Sequence, residues 1–130
     1  MKFEESYKLI KKIYMEKDFS NVNTDFTGSL TITGKDGGDV FLAYIKGKKL
    51  IEPAKHDKAN IHVTISDETF DAVVNKKIAP FKAFTSGKIK AKGNIFLAMS
   101  IYRKLKKKWS YTGLYDKNPY MSNDNRMILF

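Results

Sequence analysis

The chain opens with apolar residues at helical spacing, changes to the alternation of β-strands, and returns to helical spacing in its second half. The first apolar residues recur every three or four positions: Phe3, Tyr7, Ile10 and Tyr14. This spacing predicts an amphipathic helix over residues 3–15, with lysines lying off the apolar stripe. We expect that stripe to pack on a sheet rather than on a membrane surface.

The middle of the chain predicts four β-strands joined by short connections. Leu30 and Ile32 alternate with polar residues, as in a strand with one solvated face. The next run, residues 40–45, is apolar at every position, which is typical of an interior strand covered on both faces. Two further strands are predicted at residues 49–52 and 61–65. The short turns between successive strands indicate an antiparallel meander.

The second half is mainly helical. Ser66 is a preferred N-cap residue, and the two acidic residues after it suit the positive end of a helix dipole. Pro80 begins a short helix that Gly87 ends. Residues 88–92 alternate lysine with apolar residues, so we expect a fifth strand with its lysines outward. A last helix over residues 95–107 is apolar on nearly every side and therefore needs cover from more than one direction.

The sequence leaves open what supplies that cover. The C-terminal segment, a partner chain or a bound apolar ligand would each suffice. The segment after the helix, residues 109–130, is rich in aromatic residues and is therefore too apolar for a typical disordered tail.

Composition narrows the class of protein. With 130 residues the chain suits one domain that buries a real core. It contains no cysteine, which excludes disulfides, thiolate catalysis and cysteine-ligated metal centres. No apolar run is long enough to cross a bilayer, and the first residues lack the pattern of a secretory signal. We therefore expect a cytoplasmic, soluble domain.

The net charge of +10 is concentrated in the second half, where residues 67–130 carry 13 basic and 5 acidic side chains. Such a charge favours an anionic partner: nucleic acid, a lipid headgroup, a membrane surface or a phosphorylated small molecule. A basic cluster at the end of the last helix includes Arg103, Lys104, Lys107 and Lys108. A solvated helix end, headgroup or membrane contact, and nucleic-acid stacking all remain open for it, in that order of preference.

No set of residues predicts an active site. His62 lies on the polar face of a strand and His56 in a charged loop, without the positioned neighbours that acid–base catalysis needs. Residues 34–38 lack the spacing of a phosphate-binding loop, and no serine stands in a nucleophile elbow. We expect a protein that is not an enzyme and needs neither a metal nor a cofactor.

Four stretches follow one another in a distinctive order. They are the strand and capped helix of residues 61–70, then residues 76–84, 87–94 and 97–99. In order and spacing they resemble the sterol carrier protein type-2 family, the SCP2-like nonspecific lipid-transfer domain. The upstream helix and strands fit as well, so the resemblance extends over residues 1–107.

The resemblance implies an α+β fold: a five-stranded, mostly antiparallel sheet covered by helices on one face, enclosing an apolar tunnel. It implies an SCP2-like domain over residues 1–108 and an extension over residues 109–130. It also implies non-catalytic binding or transfer of fatty acids, fatty acyl-CoA, phospholipids or sterols. The positions that match the family's tunnel walls are Phe70, Val73, Val74, Phe81, Phe84, Ile95, Phe96 and Met99.

A second hypothesis is an SCP2-like module for interaction or oligomerisation, or an accessory subunit that serves a lipid enzyme in trans, with its tunnel filled by side chains. Residues 109–130 would then form the contact, including that of a homodimer. The expected partners are a lipid or acyl-CoA ligand and an anionic membrane surface, and nucleic acid is disfavoured.

Overall fold

The computed structural model describes the backbone of residues 1–112 and the side chains of residues 1–105. The described chain forms one five-stranded sheet and four helices. The helices are α1 (Phe3–Glu16), α2 (Asp67–Val74), α3 (Pro80–Thr85) and α4 (Ile95–Thr112). The strands are β1 (Phe26–Thr33), β2 (Gly38–Ile45), β3 (Lys48–Glu52), β4 (Ile61–Ser66) and β5 (Ile89–Gly93).

The strands lie in the order β3-β2-β1-β4-β5, and every neighbouring pair is antiparallel except β1 and β4. This arrangement confirms the predicted α+β class and the mostly antiparallel sheet. The meander, however, ends at β3, because β4 pairs in parallel with β1 on the far side of the sheet. The eight-residue connection 53–60 is much longer than a hairpin turn, and an extended chain of that length reaches across the two strands between β3 and β4.

That connection covers the face of the sheet opposite the helices. Side chains alternate along a strand, so Phe41 lies on the face opposite Tyr44. The ring of His56 stacks on Phe41 with the ring centroids 3.9 Å apart. Nε2 of His56 also lies 2.9 Å from Oε2 of Glu52. Strand β2 is therefore interior and has cover on both faces, as its apolar sequence predicts.

Helix α1 packs on the other face through Tyr14. Its hydroxyl donates to the carbonyl oxygen of Ala43 on β2 at 2.6 Å. Its ring meets that of Phe19 edge to face, with centroids 5.4 Å apart. The buried core around it, called the aromatic core below, consists of Tyr14, Phe19, Val22, Phe26, Tyr44, Ile61 and Ile101. The apolar stripe of α1 thus packs on the sheet, as predicted.

Lys49 of β3 closes the C-terminal end of α1. Its amine donates to the carbonyl oxygens of Met15 and Lys17, at 3.0 and 2.6 Å. The amine also lies 4.7 Å from the centre of the Phe19 ring. These contacts satisfy carbonyl groups that a helix end leaves without partners. Burial lowers the pKa of Lys49, and the charge of Asp18 opposes that shift.

Helix α2 ends in a Schellman motif with an unusual residue at its left-handed position. The amide of Lys77 donates to the carbonyl of Ala72 at 2.8 Å, and the amide of Lys76 donates to that of Val73 at 3.0 Å. Lys76 has φ 61°, a conformation that usually calls for glycine.

Helix α3 ends in the same motif with glycine in that place. The amide of Lys88 donates to the carbonyl of Ala83 at 2.8 Å, and the amide of Gly87 donates to that of Phe84 at 3.1 Å. Gly87 has φ 83°. Lys77 and Lys88 therefore occupy equivalent positions, each directly after the left-handed residue of its helix end.

Strand β5 forms one edge of the sheet. Lys90 and Lys92 on this strand are exposed, whereas Ile89 and Ala91 between them are half-buried on the helix side. The predicted outward lysines are confirmed.

The left-handed Lys76 generates a prediction for stability. Lys76→Gly should raise the free energy of unfolding by about 0.5–1 kcal/mol, because the strain on a side chain there exceeds the entropy cost of glycine. Lys77→Gly removes the same charge at a position that needs no glycine and should not stabilise. Urea denaturation of both variants compares them, and equal effects would contradict the strain argument.

The buried Tyr14 generates a prediction for pH dependence. Burial raises the pKa of Tyr14 from 10.0 to about 12, and Tyr44 adds to the shift. The folded protein then holds this proton more tightly than the unfolded chain, so the free energy of unfolding should fall as pH rises from about 10 to about 12.

Tyr14→Phe should lower stability at neutral pH by about 1 kcal/mol through the lost hydrogen bond. Its stability should decline less between pH 10 and 12 than that of the original chain. Denaturation midpoints across this range measure the difference, and parallel declines would show that Tyr14 is not responsible.

Candidate functional site

On the face of the sheet that carries the helices, most residues of the three interior strands are buried, but Leu30, Leu42 and Val63 are half-buried. Leu30 and Val63 are neighbours on β1 and β4, and both are half-buried although their strands are interior. The buried residues of β1, β2 and β4 on the same face are Phe26, Gly28, Ile32, Val40, Tyr44, Ile61 and Ile65. Val40, which pairs with Leu30, is fully buried. The middle of the face, around Leu30 and Val63, is called the apolar patch below.

Gly28 is buried next to the apolar patch and leaves room for a Cβ atom. It lies on β1 two residues before Leu30 and so faces the same side. A Cβ added at Gly28 would meet one heavy atom within 4 Å, Cδ1 of Leu42 at 3.8 Å, which is an ordinary contact. A glycine inside a strand often marks the close approach of another backbone or a ligand. No helix backbone lies within that distance here.

Helix α2 stands at one end of the apolar patch, in contact with β1 and β4. Two hydrogen bonds fix the N-terminal end of this helix. The hydroxyl of Ser66 accepts a hydrogen bond from the amide of Thr69 at 3.0 Å, which confirms the predicted N-cap. The carboxylate of Asp67 accepts from the amide of Asp36 at 3.2 Å, which ties the helix to the β1–β2 turn. Its three predicted wall residues are half-buried: Phe70, Val73 and Val74.

Helix α4 covers the other end of the face. Its side chains that pack on the aromatic core are Leu97, Ala98, Ile101 and Leu105. A helix turns by 100° per residue, so Met99 lies about 160° around from Ile101, on a second apolar side. Met99 and Ile95 are half-buried there, and burial raises the pKa of Tyr102 nearby. The structure therefore separates Met99 from the side of α4 that contacts the core, and Ile95 lies between the two sides.

Three other predicted wall residues are open to solvent. Phe81 is 55% exposed, Phe84 37% and Phe96 91%. The described residues thus bring the α2 positions close to the apolar patch but leave these three phenylalanines outside it. They do not by themselves outline the tunnel that the resemblance implies.

The predicted basic cluster is only partly described. Arg103 is exposed on α4 and Lys104 is half-buried. The side chains of Lys107 and Lys108 lie outside the described residues, as do residues 113–130 of the C-terminal extension.

Helices α2 and α3 form an open cleft of about 650 Å³ that sequence reasoning did not anticipate. Three lysines line it together with one acidic residue: Lys77, Lys82, Lys88 and Glu68. Lys77 and Lys88 are the equivalent residues of the two Schellman motifs. The sequence shows a lysine directly after the left-handed residue that ends each helix. It does not show that Lys77 and Lys88 line one cleft, because that depends on how α2 and α3 pack.

Two kinds of site are absent from the described part of the chain. Within it, no group of three or more histidines and carboxylates is placed to hold a metal ion. Among its helices, none combines the length and the hydropathy needed to cross a bilayer.

Comparison with known families decides the identity of the domain. Residues 16–106 match the model of the SCP-2 sterol transfer family. The chain belongs to that family. Membership confirms the resemblance, and it supports binding and transfer of lipids or sterols as the general function.

Two relatives show that SCP-2 segments occur within larger proteins. The chain is 30% identical over 99 residues to Hydroxysteroid dehydrogenase-like protein 2 of Rattus norvegicus, covering 75% of this chain and 18% of that protein. It is 48% identical over 54 residues to Peroxisomal multifunctional enzyme type 2 of Mus musculus, covering 42% of this chain and 7% of that protein. The chain therefore corresponds to a small part of each, and both carry the names of enzymes.

A solved structure of similar size shows the same fold. The palmitated SCP2L2 of Aedes aegypti has a TM-score of 0.65 and 19% identity, with 81% of this chain and 95% of that chain covered. The sheet and helices described above are thus those of an SCP-2 fold.

Proposed function

We propose that this SCP-2 domain holds the tail of a lipid on the apolar patch and carries the lipid without changing it chemically. The half-burial of Leu30 and Val63 carries this proposal, since interior strands normally bury such residues. Each methylene that a lipid buries contributes about 0.8 kcal/mol, so ten of them supply about 8 kcal/mol before the entropy cost of binding. The palmitated relative supports a fatty acyl chain as ligand.

The proposed wall combines the sheet with two helices. Phe70, Val73 and Val74 of α2 face the lipid from one end, and Ile95 and Met99 of α4 contribute the second apolar side of that helix. Phe81, Phe84 and Phe96 are exposed and would meet the lipid at the entrance. Flexible methionine and flat aromatic rings suit a surface that accepts different tails.

The same proposal gives the basic cluster a role. Arg103 and Lys104, with Lys107 and Lys108 further along the chain, would contact the anionic head of a fatty acid, acyl-CoA or phospholipid, or an anionic membrane. The exposure of Arg103 supports this role.

No catalytic step is part of the proposal. His56 is paired with Glu52 and stacked on Phe41, on the face of the sheet away from the apolar patch. A histidine in that place lies too far from a lipid on the helix side to act as its acid or base.

Native mass spectrometry of gently purified protein tests the function directly. We expect a mixture of acyl lipids to co-purify with the protein, and the masses of these lipids would identify the ligand class. A protein that is free of lipid and takes up no fluorescent fatty acid would contradict the proposal.

Filling the apolar patch should block binding. Gly28→Leu places a branched side chain in the space above β1 and should weaken fatty-acid binding at least about tenfold, since a ligand cannot share that volume. Val73→Trp should have the same effect from α2.

Thr64→Leu is the matched control, because Thr64 is an exposed residue on the opposite face of the neighbouring strand. Its affinity should stay unchanged. Fluorescence titration compares the variants, with circular dichroism to check the fold, and equal losses in Gly28→Leu and Thr64→Leu would place the ligand elsewhere.

The second candidate function is an interaction module that serves a larger enzyme. The named enzymes among the relatives, of which this chain covers a small part, support it. Deletion of residues 113–130 leaves α4 complete and separates the two candidates. The carrier proposal expects lipid uptake with or without an oligomer, measured by titration and light scattering. The module expects no uptake and an oligomer that dissociates on deletion.

A further inference from the structure

Helix α3 directs aromatic side chains away from the protein. Ala83 is fully buried and fixes the inward side of this six-residue helix. At 100° per residue, Phe81 lies about 160° around from Ala83 and Phe84 about 100°. Both rings are exposed, by 55% and 37%. Two neighbouring exposed aromatic rings on so short a helix are typical of a contact surface.

The cleft between α2 and α3 is cationic. Lys77, Lys82 and Lys88 line it, opposed by Glu68 alone. The two Schellman motifs fix the backbone of Lys77 and Lys88 through four hydrogen bonds of 2.8–3.1 Å. The ends of α2 and α3 therefore fix the backbone positions of two of the lysines that line the cleft.

No acidic side chain in the described part of the protein forms an ion pair with these lysines. No carboxylate there lies within 4 Å of the amine of Lys77, Lys82 or Lys88. All three lysines are exposed. Lysines near helix ends also complement the helix dipole, but that effect alone does not call for aromatic rings beside them.

We propose that α3 and the α2–α3 cleft form a docking surface for a bilayer that contains anionic phospholipids. Phe81 and Phe84 enter the boundary between headgroups and acyl chains, and the three lysines contact lipid phosphates. Helix α3 exposes both rings together with Lys82. This combination matches a bilayer interface, in which the acyl chains are apolar and the headgroup layer above them is anionic.

This surface is distinct from the basic cluster on α4, and it goes beyond lipid binding because it specifies where the carrier meets a membrane. Phosphopeptides and nucleic acid share the phosphate chemistry but supply no acyl layer for the two rings. Charge complementarity together with exposed aromatic rings therefore favours the bilayer.

Vesicle sedimentation tests the lysines. The full-length chain should bind vesicles of equal parts phosphatidylcholine and phosphatidylserine, and bind phosphatidylcholine alone far more weakly. Lys77→Gln, Lys82→Gln and Lys88→Gln combined should weaken binding to the anionic vesicles by about a hundredfold, since each lysine near such a surface adds to the attraction.

A control on α1 removes the same charge: Lys8→Gln, Lys11→Gln and Lys12→Gln combined, all at exposed positions. It should change binding only a few-fold. An equal loss in both triple variants would show a general charge effect and overturn the docking surface.

A tryptophan reporter tests insertion of the rings. Phe81→Trp in a Trp109→Phe background should lose fluorescence to brominated phospholipids on binding the anionic vesicles. Leu50→Trp in the same background is the control, because Leu50 on β3 is 51% exposed, close to the value for Phe81. Quenching in the control alone, or in neither, would overturn the proposal.

One further pair of measurements separates docking from lipid carriage. Uptake of an uncharged fluorescent fatty alcohol, measured without vesicles, should be the same in the lysine variant and the original chain. A chain that binds vesicles through the lysines but takes up no alcohol would retain the docking surface and contradict the carrier. A chain that does not bind vesicles but binds a phosphoserine peptide through these lysines would overturn the docking surface.

Discussion

The fold depends on the aromatic core that gathers around Tyr14. The hydroxyl of Tyr14 binds a β2 carbonyl, and its ring meets Phe19 edge to face. Because α1, β1, β2 and α4 all contribute side chains to this cluster, helix packing is concentrated at one end of the sheet. Helix α2 is held at the other end by the Asp67 contact with the β1–β2 turn. The apolar patch lies on the sheet between these two attachments.

The two faces of the sheet are covered by different means, and the proposed lipid site depends on this asymmetry. A short connection with His56 stacked on Phe41 closes one face without any helix. The helices cover the other face at its ends, and between them Gly28 leaves room on the central strand β1. Lipid binding at the proposed site would therefore require little rearrangement of the sheet.

Much of this fold follows from local pattern. The stripe of α1, the Ser66 cap, Pro80 and the lysine alternation of β5 each depend on a few neighbouring residues, and all are confirmed. The parallel pairing of β4 with β1 does not follow from local pattern, because it depends on the path of a connection rather than on a turn. The exposure of Phe81 and Phe84 was also not predictable, since a six-residue helix has too few positions to indicate its buried side.

Strand β5 has a further consequence for a protein whose apolar surface is partly open. An edge strand offers unpaired amides and carbonyls to any other strand, and a second copy could extend the sheet through it. Lys90 and Lys92 stand at that edge with like charge, so two such edges repel each other. The positive charge of the second half thereby favours separate copies over assembly into aggregates while the apolar patch is empty.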